Sequence, residues 1–274
     1  MLKKLLTKSF WIRVLSSVPL VVITLVTILL GGNLLFVVSI LLSLIGMFEL
    51  YRIIKIQDKL PGFMGYVSCI LYYGLMIMGY DSYFMIFIIV YLMSLMAIYV
   101  FKFPKYKLED LIMVFFGLVY VGVMFSYIYR IRILNDGFYL VWLVFISSWI
   151  SDTCAYLFGV TFGSHKLAPV LSPNKSIEGS ISGVIGSALI GGLYGMIFKN
   201  SITAFISPII GCAIVCGVGS IISQIGDLTA SAIKRNYKAK DYGKLIPGHG
   251  GILDRFDSLI FVAPAIYFLC LLVY

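Results

Sequence analysis

Long apolar stretches alternate with short polar segments along almost the whole chain. A helix that crosses a membrane needs roughly 20 apolar residues, and because buried helices are apolar on every side, length and flanking residues mark such spans better than periodicity. Lipid offers no partner to an unpaired backbone group, and no alternating strand pattern indicates a barrel, so we expect an all-α polytopic membrane protein. The pattern predicts nine transmembrane helices, at about residues 10–30, 33–50, 61–80, 82–101, 109–129, 137–160, 180–198, 203–226 and 258–273.

The first apolar stretch follows a basic N-terminus, which is also how a secretory signal peptide begins. The stretch is too long for a signal peptide, and no A-x-A-like cleavage site follows it. We therefore interpret it as the first membrane span.

Composition excludes several classes of protein. Hydrophobic residues make up 61% of the chain and charged residues only 12%, whereas soluble domains carry about 25% charged residues. A soluble enzyme, a disordered chain and a nucleic-acid-binding module are therefore excluded, and no nucleic-acid partner is expected. The chain has only two histidines, so a multi-histidine metal site is excluded as well.

The distribution of basic residues predicts the topology. With the N-terminus inside, 18 of the 21 Lys and Arg residues lie on the inner side, as the positive-inside rule requires. We expect a multi-pass protein of the cell (cytoplasmic) membrane with a cytoplasmic N-terminus. Residues 1–135 would supply about five spans, and residues 136–274 a catalytic core with two long cytoplasmic loops, at about 161–179 and 226–257.

The second loop begins with an acidic residue, Asp227, directly after an apolar run. An acid at the end of a span is costly without a counter-charge or a metal ion. If the helix continues, Ser223, Asp227 and Ser231 form one polar stripe with Lys234 or Arg235. A snorkelling helix end with a capping acid is the simpler alternative.

The same loop continues with a glycine-rich turn and an acidic helix start. Gly248, Gly250 and Gly251 would let backbone N–H groups point into one concavity, which binds phosphate oxygens, although an ordinary turn has the same pattern. Asp254 lies one helical turn before Asp257, with Arg255 between them, which is suited to pairing with phosphate. Mg²⁺ prefers one or two carboxylates plus substrate phosphates, so Asp227 and Asp254 predict a metal–triphosphate site and phosphoryl or nucleotidyl transfer.

The first loop offers a second phosphate contact. Ser176 is placed to cap the following helix, with Glu178 in its first turn and Lys175 just before it. Positive charge at a helix N-terminus favours anions, but a plain helix start explains the string almost as well. Asp152 is an acid inside the sixth span. A functional role and a structural hydrogen bond to a neighbouring helix are both open for it.

The 27 residues from Ser231 to Asp257 carry a specific resemblance. They fit the pattern S-x-hydrophobic-K-R-x4-K-D-x-small-x2-hydrophobic-P-x-H-G-G-hydrophobic-x-D-R-hydrophobic-D at every fixed position. The strings S-P-N-K-S-x-E-G, from Ser172, and D-x-x-A-Y-x-x-G, from Asp152, are similar to the same family. The chain thus resembles the phosphatidate cytidylyltransferases, or CDP-diacylglycerol synthases. The N-terminal residues, to about 135, match only as a set of apolar spans.

The resemblance implies a reaction in which phosphatidic acid of the inner leaflet attacks the α-phosphorus of CTP, giving CDP-diacylglycerol and pyrophosphate. It implies Mg²⁺ together with a potassium ion, and loosely a homodimer. The lipid phosphate is already a good nucleophile, so His249 is expected to contact ligand or orient the loop rather than accept a proton. The expected catalytic residues are Asp227, Asp254, Lys240, Asp241 and His249; those binding substrate are Asn174, Lys175, Glu178, Lys234, Arg235, Gly250, Gly251, Arg255 and Asp257; and those binding metal are Asp227, Asp254, Ser223 and Ser231.

Other classes remain as alternatives at this point. A polyprenol kinase or an archaeal-type lipid cytidylyltransferase would also use CTP in a membrane. The CDP-alcohol phosphotransferases have a D-G-x2-A-R-x8-G-x3-D-x3-D pattern that this chain lacks. A secondary transporter would place its polar groups near the bilayer midplane, and a scaffold would tolerate loss of the two aspartates.

Overall fold

The computed structural model describes residues 8–246, 248 and 250–272. Within them, nine helices lie where the apolar pattern predicts spans. They are α1 (Lys8–Leu30), α2 (Gly32–Ile53), α3 (Leu60–Ile77), α4 (Asp81–Phe101), α5 (Leu108–Arg132), α6 (Gly137–Phe162), α7 (Ile177–Ile197), α8 (Pro208–Asn236) and α9 (Leu253–Leu272).

Eight of the described helices, α2 to α9, are long and apolar enough to cross a membrane, which confirms the polytopic all-α class. The apolar run of α1 within the described side chains is Val18–Leu30. Much of the helical surface is apolar and outward-facing: in α4 only Tyr91 and Leu95 are buried. Such a surface is suited to lipid rather than water. The cytoplasmic placement of the N-terminus stays a prediction.

Several helix ends differ from the predicted spans, including three that border the polar loops. α7 begins at Ile177 rather than 180, α9 begins at Leu253 rather than 258, and α8 continues to Asn236 rather than ending at 226. Apolar length marks the part of a helix that contacts lipid, whereas backbone hydrogen bonding continues through polar residues beyond it. The predicted continuation of the helix past Asp227 is thereby confirmed.

The first polar loop contains a short β-hairpin. β1 (Lys166–Ala168) pairs antiparallel with β2 (Ser172–Ser176), with Lys166 opposite Ser176 and Ala168 opposite Ser172. α7 follows β2 without a gap, and the Ser176 side chain accepts a hydrogen bond from the N–H of Gly179 at 3.2 Å. This confirms Ser176 as the N-cap of the helix.

The described chain divides into two units that interleave along the sequence. Unit 1 contains the described residues up to Ile23, then Phe36–Ser126 and Ala239–Arg255. Unit 2 contains Thr24–Leu35, Tyr127–Lys238 and the described residues from Phe256 onward. The division of the chain at residue 135 stays a prediction.

Small residues bring α7 and α8 together within unit 2. A Cβ added to Gly191 would lie 2.6 Å from Cβ of Cys216 and 2.7 Å from the carbonyl oxygen of Cys212. Both cysteines are fully buried free thiols, so they act here as small packing residues. Gly195 faces the backbone of Pro208 in the same way. The glycines of α7 therefore serve a contact within this chain.

A π-helical turn in α6 directly precedes Asp152 and its neighbour Ser151. It covers Ile146–Ile150. An inserted π turn rotates the residues after it relative to a regular helix, and such turns occur frequently at functional sites. The turn thus helps to set the direction in which Asp152 points.

Candidate active site

The polar stripe predicted on α8 lies on one continuous helix. Ser223, Asp227 and Ser231 follow one another at intervals of one turn, and Lys234 and Arg235 occupy the last turn. A proline at the start of the helix and basic residues at its end match the preferences of the two termini. Arg235 is exposed and Lys234 half-buried.

Lys175 and Asp227 form an ion pair between Nζ and Oδ2. Lys175 belongs to β2 and Asp227 to α8, so the pair joins the two segments that the sequence predicted to form one site. The two side chains are 26% and 31% exposed. An ion pair this accessible can exchange for a pairing with a charged ligand, because solvent screens the attraction between its two charges.

A cavity of about 260 Å³ opens beside this ion pair, within unit 2. Asp152 lies on its wall and interacts electrostatically with both Lys175 and Asp227. One ammonium group thus interacts with two carboxylates, and the cluster offers groups of both signs to a phosphate ligand and a cation. The cavity is lined by Asp152, Ala155, Tyr156, Leu167, Ser172, Asn174, Lys175, Ser176, Ser180 and Gln224.

A hydrogen-bond network includes two residues of the cavity wall, Ser180 and Gln224. Gln224 of α8 donates through Nε2 to the carbonyl oxygen of Ser180 at 3.2 Å and accepts from the hydroxyl of the same serine. Its Nε2 also lies 3.4 Å from Oγ of Ser151, which accepts a hydrogen bond from Ser220 at 2.8 Å. Buried polar groups are costly unless paired, so the network holds α6, α7 and α8 in a defined arrangement.

Ser223 presents a buried hydroxyl without a hydrogen bond. It lies one turn before Asp227, is fully buried, and its Oγ has no hydrogen-bond partner among the described residues. A buried hydroxyl normally finds a partner. An oxygen of this kind is suited to a bound cation, the role predicted for it.

Glu178 turns toward the hairpin. Its carboxylate contacts Nδ1 of His165 at 2.6 Å and accepts a hydrogen bond from the N–H of His165 at 3.1 Å. The pair fixes the chain just before β1 to the first turn of α7. Glu178 is not among the residues that line the cavity.

In unit 1, Asp254 organises the glycine-rich loop. This carboxylate is buried, and its Oδ2 accepts hydrogen bonds from the N–H groups of Tyr242 at 2.8 Å and Gly251 at 2.9 Å, with Gly243 at 3.4 Å. An acid in the first turn of a helix that reaches back to a preceding N–H is a capping arrangement. The Gly251 amide, expected to bind phosphate, donates to Asp254 here.

The turn before Asp254 needs glycine. Gly248 has a φ of +77° and Gly250 a φ of +85°, a region that other residues adopt only with strain. The Ile246 N–H donates to the carbonyl oxygen of Gly250 at 2.9 Å and closes the turn. His249, a predicted catalytic residue in this turn, lies outside the described residues.

The predicted site residues thus fall into two sets. In unit 1 the side chains of Lys240, Asp241 and Arg255 are exposed. In unit 2 Asp257 is buried, and its Oδ1 accepts a hydrogen bond from the N–H of Ser258 at 2.8 Å. Unit 1 holds Lys240, Asp241, Gly250, Gly251, Asp254 and Arg255, while unit 2 holds Asn174, Lys175, Glu178, Ser223, Asp227, Ser231, Lys234, Arg235 and Asp257.

Sequence reasoning missed two acidic residues that the structure brings to the predicted site residues. Asp152 was recognised as unusual but given no role at the site. Glu49 was overlooked, although it lies inside the apolar α2 and is only 3% exposed. An acid within a predicted span is expensive and marks a functional position, and that signal would have found Glu49. Its oxygens accept hydrogen bonds from the N–H groups of Ile252 at 3.1 Å and Leu253 at 2.8 Å.

Gly243→Ala is expected to destabilise the loop by about 1–3 kcal/mol, because an inserted methyl group would overpack it. A Cβ at this position would collide with Oε1 of Glu49 and lie 2.7 Å from Cα of Gly251, where the backbone has no room to yield. The measurement is the thermal midpoint of the purified protein in detergent. Gly74→Ala in α3 is the control, since among the described residues nothing lies within 4 Å of its Cβ position. An unchanged midpoint for Gly243→Ala would contradict this packing.

Comparisons with known proteins show which family the chain resembles. A model of the cytidylyltransferase family matches residues 11–273. A phosphatidate cytidylyltransferase of Staphylococcus haemolyticus (strain JCSC1435) is 34% identical over 256 residues, which cover 92% of this chain and 96% of the relative. The enzymes of the same name from Staphylococcus saprophyticus and Staphylococcus aureus (strain COL) are 33% and 32% identical, with the same coverage of both chains.

Proposed function

The chain belongs to the cytidylyltransferase family, and from that premise we propose how its described residues act in the transfer of a cytidylyl group from CTP to phosphatidic acid. The enzyme is a nucleotidyltransferase that makes CDP-diacylglycerol and pyrophosphate for phospholipid synthesis. The observation that carries the assignment of the site is the Lys175–Asp227 ion pair beside Asp152. It supports the assignment because an ammonium group suited to phosphate and carboxylates suited to Mg²⁺ lie in or beside one cavity.

The reaction forms a bond between a phosphate oxygen of the lipid and the α-phosphorus of CTP, and it breaks the bond to the bridging oxygen of pyrophosphate. The attacking oxygen is already an anion, so the protein need not remove a proton. Catalysis in this class consists of positioning the reactants and neutralising charge as it develops on the phosphate oxygens. Lys175, which is accessible and held at the cavity, is suited to this role.

Basic residues of the polar segments would bind the remaining phosphate charge. We assign Lys234 and Arg235 of α8 to this role, together with Lys240 and Arg255 of unit 1. Asn174 would contact substrate from the cavity wall. Asp241 and Asp257 would orient the basic groups, and Gly250 would allow close approach of the backbone.

Mg²⁺ is proposed as the cofactor, held by Asp227 and Asp254, with Ser223 or Ser231 contributing to a potassium ion. The described residues fit such cations: Asp227 already binds one positive group, the Lys175 ammonium, and Ser223 has an unsatisfied buried hydroxyl. When bound, Mg²⁺ supplies positive charge that neutralises the triphosphate and the leaving pyrophosphate. Asp227 belongs to unit 2 and Asp254 to unit 1, and their joint action is proposed from the family resemblance.

The location of the reaction follows from the topology. The described helices make the chain a multi-pass membrane protein, and we propose the cell membrane with both polar loops on the cytoplasmic side, where CTP is found. Phosphatidic acid would reach the site from the inner leaflet. We also propose a homodimer, as the family suggests; its interface would not use Gly191 or Gly195, which pack against α8 of the same chain.

Labelled CTP provides the direct test of the reaction. Purified protein, incubated with phosphatidic acid, Mg²⁺ and CTP carrying ³²P at the α-phosphate, is expected to transfer label to the lipid. CTP labelled at the γ-phosphate should leave the lipid unlabelled, because that phosphate departs in pyrophosphate. Transfer of the γ label would instead identify a lipid kinase, and transfer of neither label would overturn the proposed reaction.

A further inference from the structure

We infer that Glu49 and Arg52 of α2 are positioning residues, which hold the loop bearing Asp254 in its working geometry. The inference rests on the proposed function, because it assigns these residues to the catalysis of cytidylyl transfer. Its structural basis lies entirely within unit 1. Neither residue belongs to the motif from Ser231 to Asp257, and both lie about 200 residues earlier in the chain.

Glu49 caps α9 from a different helix. Its Oε1 accepts the N–H of Ile252 at 3.1 Å and its Oε2 accepts the N–H of Leu253 at 2.8 Å. These are N–H groups at the start of α9, which have no carbonyl partner within the helix. A carboxylate is favoured at this end because the helix dipole is positive there. Glu49 therefore fixes the backbone immediately before Asp254.

Arg52 holds the other end of the same loop. It lies one turn after Glu49 on α2, and its Nη2 donates to the carbonyl oxygen of Tyr242 at 2.7 Å. The N–H of Tyr242 in turn donates to Oδ2 of Asp254 at 2.8 Å. One face of α2 thus contacts the loop where it enters and where it leaves, and Asp254 links the two ends.

The charges of the three residues are coupled. Glu49 interacts electrostatically with Asp254 and with Arg52. Two buried carboxylates close together repel each other, and a nearby cation reduces that repulsion. Arg52 therefore offsets the cost of holding Glu49 beside Asp254, in addition to its hydrogen bond.

The glycines of the loop agree with this role. A Cβ at Gly243 or at Gly251 would collide with the carboxylate oxygens of Glu49. Both positions are tightly packed around this one side chain, and at neither is φ in the left-handed region. Their lack of a side chain therefore leaves space for the buried acid, which is a different purpose from a phosphate-binding nest.

The test compares Glu49→Ala with the isosteric Glu49→Gln, using CDP-diacylglycerol formation by the full-length enzyme. Misplacement of a group at the reaction centre by about 1 Å can lower a rate by about 100-fold, and that fall in kcat is expected for Glu49→Ala. Loss of a supporting residue typically weakens metal binding 10- to 100-fold, so the half-saturating Mg²⁺ concentration should rise about 10-fold. Glu49→Gln keeps one acceptor oxygen and should be intermediate in both.

Ser43→Ala is the matched control, because Ser43 is also buried on α2 and also loses one hydrogen bond, to Tyr73 at 2.8 Å. It should keep kcat and the Mg²⁺ dependence close to those of the unchanged enzyme. Equal losses in Ser43→Ala and Glu49→Gln would overturn the inference, since they would indicate general damage to α2. A kcat and Mg²⁺ requirement within about 2-fold of normal in Glu49→Ala would overturn it as well.

Hydrogen exchange separates failure of this inference from failure of the proposed function. Amides in a peptide covering residues 239–255 should exchange faster in Glu49→Ala, while peptides from α7 and α8 remain unchanged. Suppose that the loop exchanges faster in Glu49→Ala, but that the protein without any substitution makes no CDP-diacylglycerol. This result would contradict both the proposed reaction and the positioning role in it. The contact between Glu49 and the loop would still be supported. Unchanged exchange would overturn the positioning role even in an active enzyme.

Discussion

Replacement of Asp227 by Asn is expected to lower CDP-diacylglycerol formation by a factor on the order of 1,000, as loss of a central electrostatic group does in other enzymes. The change removes the charge that pairs with Lys175 and that is proposed to hold Mg²⁺. The side chain keeps its size, and at 31% exposed it carries little of the packing. Initial rates with saturating CTP and phosphatidic acid, measured over a series of Mg²⁺ concentrations, check the expectation.

Asp58→Asn is the control for Asp227→Asn. Asp58 is an exposed acid that contacts only the neighbouring Gln57 in the hydrogen bonds described for it, and its replacement should leave the rate unchanged. Near-normal activity of Asp227→Asn, with normal membrane insertion, would remove the carboxylate from the proposed site. A similar loss in both variants would indicate a general sensitivity to charge.

The same change at Asp254 separates two roles of one carboxylate. Asn retains an oxygen that can accept the N–H groups of Tyr242 and Gly251, whereas Ala retains none. Asp254→Asn should therefore keep the thermal midpoint close to normal yet lose activity to the same extent as Asp227→Asn. Asp254→Ala should lose both, and a fully active Asp254→Asn would leave this residue with only its role in the loop.

Lys175→Gln is expected to lower kcat/KM for CTP by a factor on the order of 100, because an ammonium group no longer neutralises phosphate charge at the cavity. The variant also leaves Asp152 and Asp227 without the cation that interacts with both of them, so their negative charge repels an anionic substrate further. Steady-state kinetics with varied CTP at fixed phosphatidic acid measure the effect.

Lys166→Gln provides the matched control for Lys175→Gln. Lys166 belongs to the same hairpin and is exposed, but it does not line the cavity. Its replacement should change kcat/KM by less than about 2-fold, since an isolated surface charge has little effect. Equal effects of the two substitutions would show that the hairpin acts only through its overall charge.

Local rules were sufficient for several parts of the site. Ser176 caps α7. The sequence predicts this because serine is a preferred N-cap residue and an acid follows it in the first turn of the helix. The stripe from Ser223 to Arg235 lies on one helix because its intervals match the helical repeat. Such features depend on residues a few positions apart, and the chain itself holds those residues together.

Contacts over long sequence distances were beyond such rules. Arg132 donates from Nε to the carbonyl oxygen of Ile28 at 3.1 Å and lies over the ring of Phe138 at 5.1 Å. Glu49 contacts residues about 200 positions away. No local pattern specifies the partner of a buried charge, because many carbonyl and amide groups of distant elements are equivalent candidates until the helices pack.

The amino-acid sequence by itself determined the membrane class, the order of the helices, the family and the residue types of its motif. These follow from apolar length and from side chains that lie close together along the chain. Only the tertiary structure decided that Lys175 pairs with Asp227 beside Asp152, that Asp254 closes its own loop, and that α2 holds that loop through Glu49 and Arg52. The reason is physical: a buried polar group must find a partner, and packing selects which one it meets.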